Sequence, residues 1–276
     1  MANSYEDTTL RKVYDDLSGN LKLLYDFSDG GSSVSVTDKS DNSLTGTIVS
    51  GATGDNVSAA NMWTNGGGGG LNLDGTNDYV DIDGTDIFSG HAVGSIEMWI
   101  DIEELDKTQM LFNYAKTTDT SNRHNIHIAA DNTIRSDIVS ATTDAINTDN
   151  SITATGIYHL VMTNDGVAWK LYLNSVSQAF TWTTGSVTID WFDDLTGSDT
   201  ITLGSYLTGG NTTDYYFNGT FYKFAVYDIA LTQTQITKIF RNERLLFDQD
   251  VRPDVPIRNP GRSETNMTTG LIFQDI

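Results

Sequence analysis

The chain of 276 residues contains no cysteine. That excludes disulfide scaffolds, zinc–thiolate centres, iron–sulfur clusters and thiol nucleophiles. Proline is almost as scarce: there are three, Pro253, Pro256 and Pro260, all near the C-terminus, so none interrupts a strand or helix of the body. Positive charge is also in short supply. Lys+Arg number 16 against 37 Asp+Glu, a formal net charge of −21. A field of that sign repels phosphate backbones and speaks against nucleic acid as a partner. No apolar run reaches the ~18 residues of a bilayer-spanning helix. Met1-Ala2-Asn3-Ser4-Tyr5-Glu6-Asp7 lacks the basic-then-apolar pattern of a secretory signal. The expectation is a protein without membrane insertion that is made and kept inside a cell, or leaves it by lysis or a dedicated machine.

What is present suffices for a fold. Hydrophobic residues make up 38% and charged residues 19%, the balance of a globular chain. The length suits one β-sandwich domain with appendages. Residues 1–20 read as an N-terminal helical arm. Leu10, Val13, Tyr14 and Leu17 share one helical stripe, Ser4 and Asp7 resemble a capping box, and Gly19 supplies a stop. From Leu21 the period becomes two. Alternating segments rich in Ile, Val, Thr and Tyr cover 21–27, 45–49, 70–73, 78–83, 95–102, 109–114, 123–129, 133–139, 157–163, 168–174, 200–206 and 217–227. Asp74-Gly75, Asp83-Gly84 and Asn164-Asp165-Gly166 separate some of them, and Asp165-Gly166 is the strongest hairpin signal. Short strands at this spacing predict a two-sheet sandwich or a barrel. The glycine run 66–70 lacks the Lys-Ser/Thr of a phosphate loop and reads as a link. A second helix opens at Thr232, with capping-box spacing to Gln235 and apolar Ile236, Ile239, Phe240 and Phe247. It closes a body spanning 21–248. Residues 249–276 then form an extended arm carrying the three prolines, Arg252, Arg258, Arg262 and a terminal Leu271-Ile272-Phe273.

Several segments, in this order, resemble one family. They are Leu21-Lys22-Leu23-Leu24-Tyr25-Asp26-Phe27 with Val36 to Asn42, and Leu71-Asn72-Leu73-Asp74-Gly75-Thr76-Asn77-Asp78-Tyr79-Val80. Next come Ser95-Ile96-Glu97-Met98-Trp99-Ile100, Tyr158-His159-Leu160-Val161-Met162-Thr163 and Lys170-Leu171-Tyr172-Leu173-Asn174. Phe217 to Tyr227, running into Ala230-Leu231-Thr232, closes the set. Together they are similar to the laminin-G-like, concanavalin A-like jelly-roll domains of the kind found in phage structural and adhesion proteins. The resemblance implies an all-β fold of two curved antiparallel sheets, and no single activity.

Alternation puts Glu97, Trp99, Asp101 and Glu103 on one face of their strand. Retaining glycosidases of the same fold carry Glu-x-Asp-x-Glu. Here the alignment puts Trp99 at the nucleophile position, where an indole cannot form the covalent intermediate. The plainer reading is a solvated strand edge whose acids discourage edge pairing. No catalytic residue is assigned. The histidines, His91, His124, His127 and His159, are scattered. Parity sends His124 and His127 to opposite faces, and the resemblance places His159 within the sandwich. A structural calcium is implied at the loop holding Asp38, Asp41 and Asn42, with Asp228 approaching it. The alternative there is an Asx-type turn. The family's carbohydrate role points to aromatic platforms in or near loops: Trp63, Trp182, Trp191, Tyr206, Tyr215 and Tyr216.

The arms point to assembly. An extended Pro-rich arm cannot bury enough apolar surface to order itself. It needs its own sandwich or a neighbouring subunit. Basic residues on an acidic body suit docking onto an identical neighbour, and a trimer is the favoured form. The first expectation is therefore a non-enzymatic virion structural protein, a capsid decoration, tail or fibre component with sister subunits and possible glycan adhesion. The alternatives are a bacterial cell-surface glycan-binding protein and a glycoside hydrolase of concanavalin A-like fold.

Overall fold

The computed structural model describes residues 16–29, 33–50, 69–83, 88, 90–118, 120–185, 190–209 and 212–247. The strands are β1 (Leu21–Tyr25), β2 (Ser35–Val36), β3 (Gly46–Val49), β4 (Leu71–Asp74), β5 (Tyr79–Asp83) and β6 (Gly94–Ile102). They continue with β7 (Gln109–Ala115), β8 (Arg123–Ile128), β9 (Ile134–Val139), β10 (Thr143–Thr148), β11 (Gly156–Asn164) and β12 (Trp169–Leu173). The remainder are β13 (Val176–Gln178), β14 (Phe180–Thr184), β15 (Thr200–Leu203), β16 (Tyr206–Thr208), β17 (Thr212–Asp214) and β18 (Asn218–Tyr227), followed by helix α1 (Gln233–Phe247).

Two antiparallel sheets form the expected jelly-roll sandwich. The back sheet has seven strands in the order β1-β18-β6-β11-β12-β13, with β4 pairing the first half of β18. The front sheet has nine, ordered β14-β10-β9-β8-β7-β15-β5-β3-β2. A separate hairpin joins β16 to β17. Alternation explains the core. Ile96, Met98, Ile100 and Ile102 of β6, with Leu160, Met162, Phe221, Phe224 and Val226, face Val80, Ile82, Phe112, Ile126, Ile128, Ile201 and Leu203 of the front sheet; all are buried. The Phe112 and Phe224 rings stack across the layers at 5.7 Å.

The other face of the back sheet is covered by α1. Thr232 caps it as the spacing predicts: its hydroxyl accepts from the Gln235 amide at 3.3 Å, while the Gln235 side chain accepts from the Thr232 amide at 2.8 Å. Ile236 and Ile239 pack onto Val161, Tyr172, Ala225, Tyr227 and Leu231. Leu17 joins this cluster and is buried. That corrects its assignment to an inter-subunit arm, because it packs on its own sandwich. Residues 18–20 form a 3-10 turn rather than the end of an α-helix. The rest of the proposed arms lies outside the described residues: Leu10, Val13 and Tyr14 at one end, and Arg252, Pro253, Pro256, Arg258, Pro260, Arg262, Leu271, Ile272 and Phe273 at the other.

Two differences from the sequence pattern have local causes. The segment 200–206 splits into β15 and β16 because Gly204 takes φ +87° and turns the chain. Strands β10, β13 and β14 escape the pattern because Thr, Ser, Asn and Gln occupy many of their positions.

Candidate functional site

The acidic strand first draws attention. β6 is central in the back sheet, so the solvated-edge reading of its acids is corrected. Glu97 is fully buried under α1. Its Oε1 accepts from Lys223 Nζ at 2.7 Å and pairs with His159 Nε2 at 3.1 Å, and its Oε2 accepts from the Tyr227 hydroxyl at 2.8 Å. Lys223 Nζ also donates to Glu243 Oε1 of α1 at 2.8 Å, and Trp99 Nε1 donates to Glu243 Oε2 at 2.7 Å. Burial raises the Glu97 carboxyl, but Lys223 and His159 outweigh it and hold the group down at about 2. Burial lifts Glu243 well above the usual carboxylate range. His159 is on this outer face, not inside the sandwich, since Leu160 and Met162 take the inner positions of β11. Among the described residues, Glu97, His159 and Glu243 are the one group of three acids or histidines whose ligand atoms lie within 4.8 Å of one another. They do not fit a metal, because the Lys223 ammonium already bridges both carboxylates. Nor do they fit glycoside hydrolysis, because Glu97 is ion-paired and sealed from solvent.

The outer face of the front sheet is different. A cleft of about 380 Å³ is lined by Tyr79, Asp81 and Asp83 of β5, Thr117, Asp199, Thr200 and Thr202, with Leu207 of the β16–β17 hairpin as one wall. Alternation builds it: Val80, Ile82, Ile201 and Leu203 go to the core, so Tyr79, Asp81, Asp83, Thr200 and Thr202 face outward. Asp81 Oδ1 accepts from the Thr200 hydroxyl at 2.9 Å, and Asp199 accepts from the Thr117 amide and hydroxyl, both at 2.8 Å. The Tyr79 and Tyr216 rings lie 6.4 Å apart.

From this cleft a polar row crosses the sheet in register, Asp81–Thr202–Asn113–Asn125–Asp137. Asn113 Nδ2 donates to Asn125 Oδ1 at 2.6 Å, and Asn125 Nδ2 to Asp137 Oδ2 at 2.9 Å. The hairpin rests on the row through the Leu207 amide, 3.3 Å from Asn113 Oδ1. On its far side Tyr206 stands over the sheet, its ring centroid 6.0 Å from the Arg123 guanidinium and 5.8 Å from the Tyr215 ring. His127 faces this side, whereas His124 points into the core against Phe112 and Trp191, as parity requires.

The six aromatics expected to hold sugar divide. Tyr206, Tyr215 and Tyr216 all border the front face, around the hairpin. Trp191 is fully buried against Phe192 and His124, which corrects its assignment, since no face of its ring is open to a ligand. Trp182 packs on Trp169 at 5.2 Å at the edge strand β14. Trp63 lies outside the described residues. The sequence alone does not single out the cleft residues Tyr79, Asp81, Asp83, Thr117, Asp199, Thr200 and Thr202. The alternation Tyr79-Val80-Asp81-Ile82-Asp83 marked which side chains leave the core, but no local signal showed that β5 and β15 are neighbours.

The expected calcium ligands are occupied by the protein itself. Asp38 Oδ1 accepts from the Leu24 and Ser40 amides at 3.0 and 2.8 Å, and its Oδ2 from the Ser40 hydroxyl and Leu44 amide at 2.8 and 2.9 Å. Asp228 pairs with Lys22 at 2.8 Å and accepts from Asn20. Asn42 donates to the Lys22 carbonyl, and Asp41 is exposed. This is the Asx-type turn, and Asp38, Asp41, Asn42 and Asp228 do not fit a calcium site as they stand.

The sequence profile of the concanavalin A-like lectin/glucanases superfamily matches residues 74–237. The chain belongs to this superfamily. The matched stretch runs from the end of β4 into α1, so it takes in the front-face cleft, the hairpin and most of the buried network. No protein with a curated description matches in sequence. Among solved structures, the superfamily fold is shared with domain 4 of a GH43 extracellular arabinanase from Geobacillus stearothermophilus, solved with arabinotriose. That pair has TM-score 0.58 and 22% identity, covering 80% of this chain and 98% of that one. The CBM40 module of the Ruminococcus gnavus IT-sialidase aligns with TM-score 0.53 and 15% identity, over 62% of this chain and 96% of that one. A botulinum neurotoxin type C structure, described by its interaction with two ganglioside molecules, aligns with TM-score 0.57 and 14% identity, over 82% of this chain and 52% of that one.

Proposed function

We propose that this protein is a non-catalytic carbohydrate-binding module whose ligand enters the front-face cleft beside the β16–β17 hairpin. The cleft itself carries the reading. Its ~380 Å³ fits the size range of small-ligand sites. Carboxylates of Asp81, Asp83 and Asp199 offer acceptors to sugar hydroxyls, and Tyr79 offers a ring. Membership of a lectin and glucanase superfamily supports it, as do neighbours whose descriptions name arabinotriose, sialyllactose and gangliosides. Against hydrolysis stands the state of Glu97, buried and held by Lys223, His159 and Tyr227.

A place on a virus particle among sister subunits is a separate proposal. It rests on the terminal arms taken together with the lectin-like sandwich, and carbohydrate binding does not require it. The test is a glycan microarray with the native protein and with Tyr79→Ala and Asp81→Asn. Binding that both substitutions abolish supports the cleft. Binding that neither changes places the ligand elsewhere, and polysaccharide hydrolysis that disappears in Glu103→Gln would restore the enzyme.

A further inference from the structure

On the far side of the hairpin Arg123 and His127 face Asp137 at ion-pair distance, with part of their hydrogen-bonding capacity unmet. Arg123 Nε and His127 Nδ1 are buried and make no hydrogen bond. Their closest carboxylate oxygens, both on Asp137, are 3.7 and 3.9 Å away, beyond hydrogen-bond reach. Buried polar atoms normally find a partner, so such a pair on one open face calls for an external one. Asp137 spends Oδ2 on Asn125. Its Oδ1 is directed to the His127 side. Arg123 Nη1 donates to the Thr120 carbonyl. Tyr206 and Tyr215, the latter 44% exposed, stand beside this floor as a ring pair.

We propose that Arg123, His127, Asp137 and the Tyr206–Tyr215 pair form a second subsite for the hydroxyls of a neutral sugar, so that the protein takes an extended saccharide chain. The inference rests on the carbohydrate-binding reading and deepens it. A donor beside an acceptor complements a hydroxyl, which is both. A ligand carboxylate would meet Asp137, and the net charge of −21 repels anions at range. His127 is held down at about 4, first by burial and then by Arg135, so it is neutral at pH 7 and adds no attraction for anions. The two subsites share one cross-strand row. From Asp81 on β5 to Asp137 on β9 is four strand spacings, about 19 Å, which one sugar ring cannot span.

Affinity electrophoresis through gels containing arabinan, galactan, mannan or β-glucan tests this, followed by titration of the retarding polysaccharide's short and long oligosaccharides. Asp137→Asn should weaken binding of the long chain about tenfold, the scale of a hydrogen bond to a charged group. Tyr215→Ala should weaken it in the same direction. Neither should affect the shortest oligosaccharide, which Tyr79→Ala abolishes. Near-ultraviolet circular dichroism establishes that each variant is folded. If Tyr79→Ala abolishes retardation while Asp137→Asn and Tyr215→Ala leave long chains untouched, the second subsite is wrong and the cleft stands. Retardation only by polygalacturonate or hyaluronan overturns the ligand class. No retardation by any polysaccharide overturns the binding reading, and the second subsite with it.

Discussion

Lys223→Met isolates the interaction that fastens α1 to the back sheet. The ammonium donates to Glu97 at 2.7 Å and Glu243 at 2.8 Å, and all three side chains are at most 4% exposed. Methionine fills much of the same volume, so little packing is lost. What remains are two carboxyls in one dry pocket with His159, Tyr227 and Trp99 and no cation. Removing one member of a buried ion pair costs about 3–5 kcal/mol, because the partner is left buried and uncompensated. That is a large share of the 5–15 kcal/mol that holds a typical domain together. With a urea m-value of about 3 kcal/mol/M, the midpoint should fall by about 1–2 M. The loss should shrink in acid. Without Lys223, burial drives the Glu97 carboxyl upward, and its protonation relieves the penalty. Adding Glu97→Gln to Lys223→Met should recover part of the loss at pH 7. Equilibrium urea unfolding at pH 5 and pH 7.5 measures all three. A loss below about 1 kcal/mol, or one independent of pH, would refute the claim that this network is an ion pair shielded from water.

Other outcomes follow from single observations. Asp38→Ala removes the acceptor of four hydrogen bonds in the 38–44 turn and should cost about 2–3 kcal/mol, while calcium or a chelator should leave the melting temperature unchanged; a calcium-dependent rise would restore the cation site. Gly204→Ala should destabilise by ~2 kcal/mol in thermal unfolding, since φ is +87° and a Cβ would stand 2.2 Å from Leu73 Cδ1. Acid should unfold the protein early. Burial lowers His124 to about 3 and, with Arg135, His127 to about 4. The unfolded chain binds those protons from about pH 6.5 downward and the folded chain does not, so stability falls with pH by about 1.4 kcal/mol per unit for each histidine. Glu97, held at about 2, adds a further loss below its unfolded value of about 4.5. His124→Phe should flatten the upper part of that profile, and a urea midpoint constant from pH 7 to pH 5 would contradict it.

The sandwich was legible in the residues because strand alternation is local. Whether Ile96, Met98 and Ile100 oppose Glu97, Trp99 and Asp101 depends only on a period of two, and the structure keeps that division. The capping box at Thr232–Gln235 was readable for the same reason, with three residues and two hydrogen bonds deciding it. What covers each face is not local. Glu97 reads as a solvated acid because its partners, His159, Lys223 and Tyr227, lie 62 to 130 positions away in the chain, and Trp99 meets Glu243 across 144 positions. Tyr79 and Thr200 become walls of one cleft only because β15 inserts between β5 and β7. Trp191 and Tyr215 are both aromatics in loops. Packing buried the one and left the other at the surface. Periodicity thus determined which side chains leave the core, while sheet order and the docking of α1 decided which of them meet solvent, one another or a ligand.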